Sequence, residues 1–372
     1  MKARVWLLGW LIPVLLGLGV SGYMVYRVDP FFHYHEPDLT KYYYNLNNQR
    51  SQNDGIIKHF KYDAMITGTS LTENFKTSDM DEIFGCTSIK VPFNGCSYYE
   101  VNYNIEKALL ANPDLKMVVR SLDMHFFYQT EDFLRQDLGK YPEYLYDDNA
   151  FNDVEYLLNR DIVFVRAYQM IIDRRDGYAP GITSFDEYSN WQDEHTYGMG
   201  TVCPGGLVVD KAAESVHLSE DEKAAIKGNI KRNVTALADK YPDVEFYYFY
   251  PPNSAVWWCG LYNDGTLLKQ LETERFISEL ILPHENIHLF SFNNVTDITT
   301  DINNYQDPMH YAEWVNTLML QWMHEDKYRL TWENLEEYTK AEYDFYTTFD
   351  YDSLNEQEDY EDDYEAARRL GF

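Results

Sequence analysis

Basic residues are scarce in this chain: 31 lysines and arginines stand against 61 acids in 372 residues, a formal net charge of -30 at pH 7. Proteins that grip a phosphate backbone neutralise it with clustered lysine and arginine, and the lack of such a patch argues against nucleic acid as a partner. Cysteine is scarce too. The four residues Cys86, Cys96, Cys203 and Cys259 form no C-x-x-C, so neither zinc nor dithiol redox chemistry is indicated, and all three pairings that four cysteines allow stay open. The acidic run 297–307 lacks the glycine and ligand spacing of an EF-hand and reads as a solvated loop. No metal and no cofactor are expected.

The chain does have a long apolar run at its N-terminus. Lys2 and Arg4 precede an almost unbroken stretch from Val5 to Val25, followed by Arg27 and Asp29. Its length of about 21 residues matches the roughly 20 that cross a bilayer as a helix. Gly9, Pro13, Gly17 and Gly19 interrupt it, as membrane helices tolerate. A cleaved signal peptide is the alternative, but Val20-Ser21-Gly22 imitates a cleavage site poorly, so a single-pass anchor over 1–27 is expected. Positive charges before the span favour a cytoplasmic N-terminus and an extracytoplasmic remainder. Residues 28–61 carry Phe31-Phe32-His33-Tyr34-His35 and Tyr42-Tyr43-Tyr44, read as a juxtamembrane aromatic belt rather than a histidine metal site.

From residue 62 onward short β-branched or aromatic runs alternate with helical periodicity. Runs at 64–66, 88–93, 116–122, 245–250 and 287–292 have the character of buried parallel strands. Helical patterns cover 98–111, 220–240, 267–282 and 311–328. The alternation predicts a doubly wound, mainly parallel α/β sheet over 62–328, with functional groups outside the carboxyl ends of its strands. Residues 128–219 break the rhythm and read as a long insertion of the kind that forms a lid or substrate wall. Residues 329–372 are acidic and tyrosine-rich, which predicts a solvated tail, with docked helical segments or binding to a cationic partner as alternatives.

Two motifs fall at strand ends. Gly68-Thr69-Ser70 follows the first strand, and Asp307-Pro308-Met309-His310 precedes the last helix of the sheet domain. A serine hydroxyl is a weak nucleophile until an imidazole takes its proton and a third group holds that imidazole. The spacing of three puts Asp307 and His310 on one short turn, so Ser70, His310 and Asp307 are the expected catalytic residues. His125, flanked by Met124, Phe126 and Phe127, is a poorer candidate for the base. Tyr250-Pro251-Pro252-Asn253 and Trp257-Trp258 follow the fourth strand and supply aromatic and amide groups suited to a sugar or polyol.

With a serine block after the first strand and a late D-x-x-H, residues 62–328 resemble the SGNH (GDSL-type) hydrolase superfamily. The single N-terminal span resembles its cell-envelope branch, which holds D-alanyl-lipoteichoic acid transfer proteins and alginate- and peptidoglycan-type O-acetyltransferases. The resemblance implies a flavodoxin-like three-layer sheet, with Thr69 in place of the usual aspartate and Gly95 as the glycine whose amide joins that of Ser70 in the oxyanion hole. The superfamily's G-x-N-D block is missing: Ser121-Leu122-Asp123-Met124-His125 stands there. Either Asn94 substitutes for the absent asparagine or the hole rests on the two backbone N–H groups alone. Asp123, His125, Tyr250, Asn253 and Trp257 are expected to line the substrate pocket. The implied activity is acyl transfer to, or ester hydrolysis on, a cell-envelope polymer or glycan, the transferase working beside a multi-span membrane acyl carrier. A tethered deacetylase and a non-catalytic scaffold with an acidic binding tail are the other readings.

Overall fold

The computed structural model describes every residue except Met1, Gln136, Leu138, Gly139, Lys140, His195, Ala213, Asp363 and Phe372, and gives the backbone alone at residues 2–5, 125 and 194. The chain divides into two compact units, Met1–Lys61 with Gln136–Tyr188, and Tyr62–Arg135 with Ser189–Phe372. The region expected as one insertion, 128–219, is thus shared between them.

In the first unit, helix α1 (Lys2–Val28) contains one stretch, Trp6–Val28, long and apolar enough to cross a membrane. Residues 6–20 are exposed, whereas Val25 and Val28 are buried. Asp29 then adopts the left-handed conformation, with φ of 48°, and its carboxylate accepts the N–H groups of His33, Tyr34 and His35 and the Tyr156 hydroxyl. That turn explains the aromatic belt: Phe31 stacks on Tyr156. His33 faces Asp153, while the two ring nitrogens of His35 face the Glu36 and Tyr26 carbonyls. The two histidines therefore serve different partners. Tyr43–Tyr44 pairs in parallel with Gly181–Ile182.

The second unit is mixed α/β around a five-stranded parallel sheet. Its strands are β1 (Ala64–Gly68), β2 (Ser88–Pro92), β3 (Met117–Ser121), β4 (Glu245–Tyr250) and β5 (Ile287–Ser291). Their spatial order is β2-β1-β3-β4-β5, all neighbours parallel. That is the order of flavodoxin-type doubly wound sheets, whose strand order reverses beside the first strand. Every residue of β1 and β2 is buried, as expected of strands covered on both faces. The buried Arg120 in β3 donates to the Asn233 carbonyl at 2.6 Å and lies over the rings of Tyr98 and Tyr248.

Helix α2 (Tyr98–Ala111) begins at a capping box in which Ser97 and Glu100 satisfy each other's backbone N–H. It buries Ile105, Ala108 and Leu109. Helices α3 (Leu267–Ile281) and α4 (Glu313–His324) occupy the later helical patterns, and 220–240 is helical with a π-helical middle at Lys231–Thr235.

The acidic C-terminal segment differs from the solvated tail expected of it. Leu335–Thr348 forms helix α5, and Leu335, Tyr346, Tyr351, Leu354, Ala366 and Ala367 are all buried. Tyr346 stacks on Trp258 with centroids 4.0 Å apart and donates to the Asn293 carbonyl at 2.6 Å. Tyrosine rings supply the apolar area that net charge and few aliphatics concealed. None of the four cysteines is in a disulfide, so none of the three pairings is formed.

Candidate active site

The carboxyl ends of β1, β2 and β3 lead directly into Ser70, Gly95 and Asp123. Gly68 ends β1 with φ of +146°, and a Cβ there would meet Ser121 Oγ at 2.5 Å and Thr72 Cγ2 at 2.7 Å. Only glycine lets the first and third strands approach this closely, and the chain then turns so that Ser70 opens a short 3₁₀ turn, half-buried.

Asp307 and His310 come from a loop closed by antiparallel pairing of Tyr305 with Tyr311. Hydrogen bonds hold that loop to the strand ends: Tyr305 to the Pro252 carbonyl at 2.7 Å, Ser254 Oγ and N–H to the Pro308 carbonyl at 2.8 and 3.2 Å, and Tyr311 to the Leu71 carbonyl at 3.3 Å. The last one spans 240 residues and ties the histidine loop to the turn that follows Ser70.

The result is a continuous chain of contacts. Ser70 Oγ lies 2.8 Å from His310 Nε2, and His310 Nδ1 lies 2.7 Å from Asp307 Oδ2. Asp307 Oδ1 accepts the N–H groups of Met309 and His310 at 2.8 and 2.9 Å, which fixes the carboxylate before it meets the ring. Burial works to raise the Asp307 pKa, but the His310 ring and these two amides outweigh it and hold the carboxyl below its ordinary value. Burial pulls His310 down, yet the Asp307 hydrogen bond and charge, with Glu73 and Asp123 nearby, leave it above ordinary imidazole.

Neither the Ser70 nor the Gly95 N–H donates to another described residue. Gly95 has φ of 61°, and its carbonyl accepts Arg135 at 2.6 Å, a bond that orients its peptide group. The Ser97 capping box two residues later fixes where α2 starts and so where Gly95 sits.

The remaining expected residues fare differently. Asn94 is exposed and its amide nitrogen lies 3.5 Å from Glu73 Oε2, at the limit of a hydrogen bond. Asp123 is buried and accepts the Thr69 hydroxyl. The side chain of His125 lies outside the described residues. Tyr250 does not face the crevice, a correction: it is fully buried, packs edge-on against Phe127 and shares a hydrogen bond of 3.1 Å with Ser278 of α3. As the last residue of a strand covered on both faces, it points into a helix layer. Asn253 and Trp257 are buried as well, Asn253 with its N–H toward Asn293 and Trp257 edge-on to Trp258.

One neighbour escaped the sequence reading. The Trp191 ring stands perpendicular to the His310 ring, 5.6 Å away, and the Trp191 backbone N–H donates to Asn74 Oδ1 at 2.9 Å. Flanking Asn190 and Gln192 both bind Glu313, which also pairs with Lys76 at 2.7 Å. A lone tryptophan in a polar insertion was the only available signal.

No family model and no curated protein matches this chain. One similar solved structure is a Streptococcus pneumonia chain provisionally described as a platelet activating factor, with 10% identity over 78% of this chain and 91% of that one. Its TM-score of 0.37 is too low for the likeness to carry an argument.

Proposed function

We propose that this chain is a membrane-anchored serine acyl transferase or esterase of the SGNH type, its second unit extracytoplasmic and acting on a cell-envelope polymer. The observation that carries the reading is the hydrogen-bonded run from Ser70 through His310 to Asp307, beside the Ser70 and Gly95 backbone N–H groups, which donate to no other described residue.

In the reaction, His310 Nε2 takes the Ser70 proton as Oγ attacks an acyl carbonyl carbon. Asp307 holds the ring in the tautomer that leaves Nε2 free and stabilises the imidazolium that forms. The Ser70 and Gly95 amides receive the developing oxyanion, each such donor being worth on the order of 2.7–4 kcal/mol in comparable enzymes. His310 then protonates the leaving oxygen, giving acyl-Ser70. A polymer hydroxyl, deprotonated by the same imidazole, takes the acyl group and restores the serine; water in its place makes the reaction a hydrolysis. Tethering raises the effective concentration of the enzyme at a surface-bound acceptor, which favours the transferase. A multi-span membrane acyl carrier is the proposed donor partner.

The test is Ser70→Ala in the full chain. Expected are the loss of acyl-ester turnover by at least about 10³-fold and the loss of polymer acylation. Unchanged turnover and unchanged acylation overturn the reading. Supplying a glycan acceptor with the acyl ester separates transfer from hydrolysis by whether acylated glycan or free acid accumulates.

A further inference from the structure

Within the first unit, α1 packs against three consecutive segments: Val154–Leu157, the π-helical Ile162–Ala167, and Tyr168–Arg175, which continues it. Gly22 marks the level of this packing, since a Cβ placed there would lie 3.8 Å from both Leu157 and Leu158. A helix rises 1.5 Å per residue, so a hydrocarbon layer of about 30 Å entered near Val5 is left near Met24. Helix 162–175 is therefore held at the depth where the span leaves the lipid.

Its composition suits that depth. Ile162, Val163 and Ala167 are buried within the unit, whereas Phe164, Val165 and Tyr168 are 60, 65 and 48% exposed. Val154 on the preceding turn is 51% exposed. An exposed run of large apolar side chains contiguous with a lipid-facing helix needs cover, and water is poor cover. Arg160, Arg166, Arg174 and Arg175 stand against Asp161, Asp173 and Asp176, a net positive stretch in a chain of formal charge -30. Arg160 and Arg175 are exposed at its two ends.

We infer that helix 162–175 lies in the outer bilayer interface, with Phe164, Val165 and Tyr168 among the lipid chains beside α1 and Arg174 and Arg175 at anionic headgroups. An amphipathic helix in this position gives the first unit a second hold on the membrane and fixes its distance from the surface. The inference rests on α1 spanning the bilayer, and it is independent of the chemistry at Ser70.

The test uses the full chain in vesicles of equal phosphatidylcholine and phosphatidylglycerol, with photoreactive p-benzoylphenylalanine replacing Leu15, Phe164 or Val165 in turn. After irradiation, intact mass is expected to rise by one phospholipid at all three positions, with phosphatidylglycerol enriched at 164 and 165, and R174E/R175E is expected to lose the enrichment. Adduct at Leu15 with none at 164 or 165 overturns the inference and leaves the span standing. No adduct at Leu15 overturns the span and the inference together. Equal capture of the two lipids overturns the headgroup contact, and capture of a protein at 164 in native membranes overturns lipid as the occupant.

Discussion

Ser70, His310 and Asp307 form a short chain of groups whose protonation is set by their surroundings. His310 is buried, which disfavours its charged form, but Asp307, Glu73 and Asp123 are acids that favour it, and they prevail. The neutral imidazole needed to accept the serine proton is thus lost as pH falls through a pKa above the usual 6.5. The acid limb of kcat/KM is expected to lie above that value. Asp307→Asn removes the strongest raising influence, so the limb should move to lower pH while the rate falls by about 10²- to 10⁴-fold. A pH–rate profile checks both, and a limb that stays in place would sink the assignment of Asp307 as the partner of His310. Asp123, two residues beyond the end of β3, accepts the Thr69 hydroxyl next to Ser70.

At the level of elements, the docking of α5 is the feature with most consequence. Glu342 of α5 and Glu274 of α3 are both fully buried, each within reach of the Tyr338 hydroxyl, at 3.3 and 3.4 Å. Ser291 and Asn293 donate to Glu274, both at 3.0 Å. Burial raises both carboxyls, and Glu274 titrates near 7 in the fold against an ordinary 4.5. A carboxyl whose folded pKa exceeds its unfolded value binds its proton more tightly in the native state. Its contribution is therefore full below about pH 4.5 and is lost as pH rises through about 7. Glu342→Gln keeps the shape and removes the second charge. Thermal melts at pH 5 and pH 8 should show the variant gaining on the native protein at the higher pH, by on the order of 1 kcal/mol. Parallel melting curves across that range would count against the raised Glu274 pKa.

For the whole molecule, the cysteines bear on where the fold gets its stability. Burial pushes the Cys86 thiol up to about 12 and the Cys259 thiol to about 11, and raises that of Cys203. Thiols so rarely ionised at neutral pH react slowly. We expect four titratable thiols on unfolding, a slow and partial reaction in the native state, and a melting temperature indifferent to reductant. Fewer than four thiols, or a melt that shifts with reductant, would reveal a disulfide. Stability then comes from the covered sheet and its helices, as the buried β1 and β2 indicate.

The chain's own order of residues determined a good deal. Strand-forming runs near 64, 88, 117, 245 and 287 and the helix at 98–111 lie where periodicity puts them, because period and β-branching act locally. The apolar run that makes α1 was equally plain. Sequence also brought Ser70 and the Asp307–His310 turn into one frame, since strand order sends both to one edge of a parallel sheet. Only tertiary structure decided the rest. Trp191 reaches His310 through a segment more than a hundred residues away from either partner, and no local pattern encodes that approach. Tyr250 and Tyr346 turned inward because helices cover them, although a tyrosine-rich stretch reads equally well as surface or core. The division of 128–219 between two units, and the docking of an acidic tail through buried rings, depend on contacts between distant segments, where burial can reverse what charge and composition favour in water.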